Sequence, residues 1–331
     1  MSNNMNTVLD PNKIRELANG FQVSRIILTA VELNIFTILD KHLLPSVEIA
    51  KQINGDERAT DRLLNALVSL GFLNKVHEKF YNSDAASLYL VKGKPEFMGG
   101  LFHTNELWKS WGTLTNAVKE GTSVYNGDGA NKDWTESFIA AMHYRAAKEA
   151  KILAMMLNLS SAKKMLDVGG GSGAYAMGMI ETNPELSAVI FDLSNVIPLT
   201  KKYAEAFPQK DKVSYIEGNY LTDDFGNCYD IVLLSAIVHI NSNEQNLELI
   251  KKCAASLNSS GQIIIKDWVM NEARTEPLGG AVFAINMLVG TKCGDTFTES
   301  EMRNWFTSCG ITKIERKNTS YGWSLIIGTK D

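Results

Sequence analysis

Lys163-Lys-Met-Leu-Asp-Val-Gly-Gly-Gly-Ser-Gly173 is the stretch whose reading decides the fold. Residues 163–168 read as a buried strand, and Gly169, Gly170, Gly171 and Gly173 follow directly behind Asp167. Glycines in such a turn let the backbone take positive φ and approach a ligand without side chains in between. Residues 174–180 then begin a helix whose first amide groups point back at the turn. A strand, a glycine turn and a helix in this order receive nucleotide-like ligands of several kinds, so the turn alone does not choose among them.

Downstream, β-prone runs at 188–192, 213–217, 229–235 and 261–268 alternate with helix-length segments, the pattern of a parallel sheet with crossover helices. The chain closes with runs at 311–316 and 323–329 around a short polar join, which predicts a terminal antiparallel hairpin. The strand at 188–192 ends in Asp192, 19 positions after Gly173, where a carboxylate can accept hydrogen bonds from both hydroxyls of a ribose. Dehydrogenase turns space their glycines G-x-G-x-x-G. The spacing here is G-G-G-S-G behind an acid, which favours a sulfonium cofactor, S-adenosylmethionine, with no pyrophosphate to hold. The terminal hairpin points the same way.

Upstream of the turn the organisation changes twice. Residues 11–40 carry Ile14, Leu17, Phe21, Ile27, Leu28, Val31, Phe36 and Leu39 at helical spacing. Pro45 and Ser46 open a short helix with Ser46 as its cap, and residues 56–70 form a second, closed by Gly71. Two short strands follow at 72–77 and 79–83, completing the outline of a winged helix-turn-helix. Residues 1–100 hold 11 Lys/Arg against 11 Asp/Glu, and the second helix begins with acids. A duplex reader needs a net basic face, so this module is expected to pack on a partner subunit and to bind no nucleic acid. Residues 101–160 read as helices rich in aromatic residues (Phe102, Trp108, Trp111, Trp134, Phe138) with a loop over 121–133. The expected boundaries are 1–100, 101–160 and 161–331.

A net charge of −4 leaves no electrostatic footprint for nucleic acid or an anionic membrane. No apolar run approaches the roughly 20 residues that span a bilayer; the longest, near 279–290, is broken by Asn286. A polar start without a signal core adds the expectation of a soluble, cytoplasmic protein. Cys228, Cys293, Cys253 and Cys309 are scattered, without metal-ligand spacing, and are expected to be reduced packing residues; no metal is expected.

The run 167–173, Phe191-Asp192-Leu193 and Glu217-Gly218-Asn219 together resemble the class I O-methyltransferases with an N-terminal dimerisation domain, a group that includes caffeate, acetylserotonin and many bacterial small-molecule O-methyltransferases. Runs at 234–239 and 283–289 resemble a bacterial subgroup of it, and the likeness extends from about residue 10 to the end. It implies an α/β fold: a Rossmann-like seven-stranded methyltransferase sheet with a terminal antiparallel hairpin, behind a mostly helical winged-helix dimerisation domain. It also implies a homodimer, a small-molecule acceptor, and S-adenosylmethionine converted to S-adenosylhomocysteine. By the same likeness Asp192 binds the ribose, and the backbone of Gly169, Gly170, Gly171 and Gly173 holds the methionine end. Asp167 and Leu193 belong to that cofactor set. Asn219 stands where the family usually has Asp, Tyr220 where it usually has Met, both flanking the adenine. Ser235 occupies the place of a Lys in plant members.

Methyl transfer from sulfonium to oxygen is an in-line displacement that depends on positioning, and a phenol needs a base near neutral pH. His239 lies just beyond the fourth strand at the carboxyl edge of the sheet, where open α/β folds bind ligands. The family's His-Asp-Trp run is here His239-Ile240-Asn241. Asp267 stands where the family's first bracketing acid is expected; it reads equally as an orienting partner for His239 or as a solvated strand-end carboxylate. The second bracketing position falls at Thr296, beside Asp295. Phe283, Asn286 and Met287, with Met142 and His143, are the candidate acceptor pocket. A buried Asn286 amide needs a partner, either substrate or neighbouring backbone. Other functions stay open: C- or N-methylation on the same fold, a reaction in which S-adenosylmethionine serves only structurally, and a ligand-sensing winged-helix regulator.

Overall fold

The computed structural model describes residues 9–126 and 132–331, with the side chains of 132–134 and 137 excepted. Part of the expected loop at 121–133, and the Trp134 side chain, therefore lie outside the described residues. The chain divides into one unit ending at Asn105 and a second from Glu106 to Asp331.

In the first unit α1 (Pro11–Glu32) starts from an Asp10 cap and α2 (Ile35–Ile38) follows. Next come β1 (Leu44–Pro45), α3 (Ser46–Gln52), α4 (Glu57–Ser69), β2 (Leu73–Val76), β3 (Lys79–Asn82) and α5 (Asp84–Tyr89). The strands form a small antiparallel sheet in the order β1-β3-β2. Asp56 caps α4 by accepting from the Ala59 amide, and Gly71 follows the helix at φ 81°. Ser46 does not cap α3: Pro45 occupies the cap position and also pairs with β3, so Ser46 is the first helical residue. Phe36, Ile49, Leu64, Leu67, Leu73 and Phe80 make the core. Ile14, Leu17 and Phe21 do not join it; each is more than half exposed.

The helix α6 (Gly100–Trp111) runs into the second unit, where α7 (Leu114–Glu120) and α8 (Lys132–Met156) precede the sheet. The alternation then runs β4 (Lys164–Val168), α9 (Ala174–Thr182), β5 (Ser187–Asp192), α10 (Ile197–Ala204), β6 (Val213–Glu217) and β7 (Tyr229–Ser235). It continues with α11 (Asn243–Ser256), β8 (Leu257–Asp267), β9 (Val269–Met270), α12 (Leu278–Gly290), β10 (Phe297–Thr298), α13 (Glu299–Ser308), β11 (Lys313–Asn318) and β12 (Ser324–Thr329).

The seven-stranded sheet has the order β11-β12-β8-β7-β4-β5-β6, parallel from β8 to β6. The expected hairpin is present, and β12 inserts antiparallel between β8 and β11. The short parallel pair of β9 with β10 was not legible in advance, being two residues long on each side. Side chains alternate along each strand, so the sheet buries two faces. Leu166, Val232 and Ile265 pack with α11 and α13 residues on one face. Met165, Leu233 and Ile264 pack with α8 and α9 residues on the other. Only part of the cysteine expectation holds. All four are free and Cys253 is buried, but Cys228 and Cys293 are exposed and hydrogen-bond Asn227 and Gln245 instead of packing. Among the described residues no helix is long and apolar enough to cross a membrane.

Candidate active site

Strand order decides what meets at the carboxyl edge of the sheet. Because β4 lies between β7 and β5, the turns after these three strands open side by side, and β8 brings its last residue next to β7. After β4 the chain turns through Gly169, Gly171 and Gly173 at φ 65°, 56° and 77°. A Cβ at Gly169 would lie 2.3 Å from Ile237 Cδ1, and one at Gly173 2.5 Å from Ile190 Cδ1. A side chain at either position meets both strained backbone and occupied space.

Asp192 ends β5 against this turn. Its Oδ2 accepts from the Gly171 amide (2.8 Å) and its Oδ1 from the Leu193 amide (2.7 Å), which leaves each oxygen a further lone pair. Burial raises its pKa, and the two amides oppose that shift. Leu193 is half exposed beside it. Asn219 closes its own turn, accepting from the Leu221 amide (3.0 Å), so its amide oxygen has a structural task. The Tyr220 hydroxyl donates to Asn241 (3.0 Å). Ser235 Oγ, at the end of β7, is buried, with no hydrogen-bond partner among the described residues.

Asp167 is almost fully enclosed, and its Oδ2 has no hydrogen-bond partner among the described residues. Burial and the nearby Asp192 carboxylate push its pKa up to about 7, against the Ala176 amide at the start of α9. The folded chain therefore holds a proton that the unfolded chain releases near pH 4, so Asp167 lowers stability progressively as pH rises from about 4 to about 7. Asp167→Asn, which mimics the protonated acid, is expected to raise the thermal midpoint of the ligand-free protein at pH 8. The gain should shrink towards pH 4. A midpoint difference independent of pH would contradict this.

This donor set suits S-adenosylmethionine. The Asp192 carboxylate faces the turn with Asp167 behind it, and among the described residues neither forms an ion pair with Lys or Arg. Such a site favours a cationic ligand end.

His239 sits in a single 3-10 turn, Val238–Ile240, directly after β7, and is 8% exposed. Its Nδ1 lies 2.8 and 3.0 Å from the two oxygens of Asp267, the last residue of β8. Of the two readings open for Asp267, the solvated strand end is excluded: the residue is buried and also accepts from the Trp268 amide. With Nδ1 committed, Nε2 is the ring nitrogen that remains for another partner. The turn is held from below, where Asn246 donates to the Val238 carbonyl (2.8 Å) and pairs with the buried Asn241. It is held from the side by the Asp295 amide, which donates to the His239 carbonyl (3.0 Å). Neither Thr296 nor Asp295 acts as a second bracketing acid. Thr296 is buried, and the Asp295 carboxylate turns away to Arg274 (3.0 Å).

The ring of Phe283 meets His239 edge-on at 4.8 Å between centroids. Phe283, Asn286 and Met287 share one face of α12, with Met287 buried. The Asn286 carbonyl accepts from Trp111 Nε1 (2.8 Å), so that end of the amide is partnered by a distant side chain. That bond fixes the amide and points its NH2 group elsewhere.

Met142 is half buried on α8. His143 stands against the glycine turn. Its Nδ1 lies 2.9 Å from Ser172 Oγ in the glycine turn, and its ring stacks on Tyr203 at 4.1 Å. Burial lowers its pKa. Sequence reasoning did not reach Trp111, Ser172, Tyr203 or Asn246. Trp111 stands 175 positions from its partner, and no local pattern carries such a pairing.

Two family models match the chain: an O-methyltransferase domain over residues 111–312 and an O-methyltransferase dimerisation domain over 15–92. The tetracenomycin polyketide synthesis 8-O-methyl transferase of Streptomyces glaucescens is 27% identical over 332 residues, covering 98% of each chain. The 3-hydroxy-5-methyl-1-naphthoate 3-O-methyltransferase of Streptomyces sahachiroi is 26% identical, over 92% of this chain and 90% of its own. Human N-acetylserotonin methyltransferase, solved in complex with S-adenosylmethionine, shares the fold: TM-score 0.85 at 23% identity, covering 98% of this chain and 99% of that one.

Proposed function

This chain belongs to the O-methyltransferase family and is an S-adenosylmethionine-dependent methyltransferase, and from that premise we propose that it methylates a hydroxyl of a small aromatic acceptor with His239 as general base. The observation that carries the proposal is the buried His239–Asp267 pair at the same sheet edge as the glycine turn, with no hydrogen bond to Nε2 among the described residues. Both curated relatives carry O-methylation in their names, one of them of a hydroxynaphthoate, which supports the acceptor class.

Bound S-adenosylmethionine supplies an electrophilic methyl group. Asp192 holds the ribose and the 169–173 backbone the methionine end. Leu193, Asn219, Tyr220 and Ser235 line the rest of that pocket. His239 Nε2 takes the hydroxyl proton as the oxygen attacks, and Asp267 keeps the Nδ1 proton in place and stabilises the resulting imidazolium. Phe283 and Met287 offer the acceptor an apolar wall, and the Asn286 NH2 group donates to a second oxygen on it; Met142 extends the wall from α8. His143 acts on the cofactor side, through Ser172. The test is incubation with methyl-labelled S-adenosylmethionine and a panel of phenols and hydroxy-heterocycles. One labelled methyl bonded to oxygen is expected; label on carbon or nitrogen would replace the proposal with the corresponding transferase.

We further propose that the enzyme is a homodimer through its N-terminal domain. Ile14, Leu17 and Phe21 form an exposed apolar stripe on α1 at helical spacing, the kind of surface that marks an interface. Leu17→Asp with Phe21→Asp should convert a particle of twice the chain mass into one of a single chain, read by light scattering. A wild-type protein of single-chain mass would contradict the assignment.

A further inference from the structure

The larger unit buries an ion pair that the reaction described above does not use. Lys266 and Glu149, 5% and 6% exposed, meet at 3.0 Å between Nζ and Oε2. The Tyr175 hydroxyl donates to the same oxygen of Glu149 (3.0 Å). Lys266 Nζ lies 4.2 Å above the Trp323 ring and 5.0 Å from that of Tyr175. Arg145 and Asp267 are the other charges that act on it. Desolvation takes back most of what such a pair gains, and well-packed apolar residues often serve stability as well or better. Stability alone is a poor account of it.

Each member stands next to a part of the site. Lys266 immediately precedes Asp267, and its carbonyl accepts from the Ala236 amide (2.9 Å). Ala236, at φ 58°, is where the chain turns from β7 towards His239. Tyr175 is the second residue of α9, whose first turn follows Gly173. Glu149 belongs to α8, which approaches α9 so closely that a Cβ at Gly178 would lie 2.7 Å from the Ala150 Cβ.

We propose that Lys266, Glu149 and Tyr175 form an internal brace that fixes the spacing between the cofactor turn and the His239–Asp267 pair. They are positioning residues: the ammonium of Lys266 holds α8 and, through Glu149, α9, while its backbone holds the entry to the His239 turn. The role rests on the reading of the glycine turn and His239 given above.

The test compares wild type, a Lys266→Met/Glu149→Met double variant and Tyr175→Phe. Removing both charges together avoids leaving one buried and unpaired, so the double variant should keep a thermal midpoint near that of wild type. Calorimetry should show S-adenosylhomocysteine bound about tenfold more weakly or worse. In protein labelled with 15N-histidine, the Nδ1 proton resonance of His239 should shift or broaden. Tyr175→Phe, which removes a single hydroxyl, should weaken binding by a smaller factor, about threefold. A folded double variant with wild-type affinity and an unchanged His239 resonance would overturn the brace. Should the double variant not fold, wild-type affinity in Tyr175→Phe overturns it. A wild-type protein that fails to bind S-adenosylhomocysteine would instead sink the reading of the turn on which the brace depends.

Discussion

Replacing His239 by alanine is expected to lower methyl transfer about 100- to 10,000-fold while S-adenosylhomocysteine affinity stays at the wild-type value. The base reading predicts this split because the imidazole has no hydrogen bond to the glycine turn or to Asp192; its partners are Asp267 and the edge of Phe283. Truncation leaves the Asp267 carboxylate buried without its partner, at a stability loss of about 1–3 kcal/mol, so assays belong well below the thermal midpoint. Asp267→Asn is the sharper companion. An amide there can donate to Nδ1, which moves the ring proton to Nε2 and leaves the wrong tautomer facing the acceptor. Its fold should survive and its turnover should fall nearly as far. Full turnover in His239→Ala, with cofactor binding intact, would assign the proton to another group.

Asp192→Ala is expected to weaken S-adenosylhomocysteine binding about 100-fold or more, and to do so whichever acceptor is present. Two losses add. The charge-assisted bonds that the carboxylate would make to ribose are worth about 1.5–3 kcal/mol each. The Gly171 and Leu193 amides also lose their acceptor, so the turn itself relaxes. Asp192→Asn separates the two contributions, since its one carbonyl can serve one amide but not both. An intermediate affinity, read by calorimetry, is the expected result. Affinity in Asp192→Ala equal to wild type would remove the ribose from this position.

The parts of this protein that were legible in its sequence are those written in short-range pattern. The glycine run needs only its own backbone geometry, and Asp192 needs only the end of the next strand. The terminal hairpin is announced by two β-prone runs close together. His239 and Asp267 lie 28 residues apart; the rule that ligands gather at the carboxyl edge pointed to His239, just beyond β7, while Asp267 came from the family resemblance. Which of two roles Asp267 plays was not decidable from sequence, because burial depends on what covers the strand end.

Side-chain pairings across the fold were out of reach. Asn286 finds Trp111 from the other end of the unit, and His143, expected in the acceptor pocket, bonds Ser172. Lys266 carried no signal either. A lysine at the end of an apolar strand reads as a solvated tip until Glu149 is seen beside it. The absent second acid shows the reverse case: Asp295 is near His239 in space, but only its backbone is, because Arg274 draws the carboxylate outward.

The central claim is that one site holds the cofactor on the glycine turn and the acceptor hydroxyl on His239. A crystal structure with S-adenosylhomocysteine and a phenol that the enzyme methylates tests it most directly. The account predicts the ribose on Asp192, the phenol oxygen within hydrogen-bond distance of His239 Nε2, and that oxygen facing the sulfur in line for methyl transfer. A ribose away from Asp192, or a phenol oxygen held by some group other than His239, would contradict it.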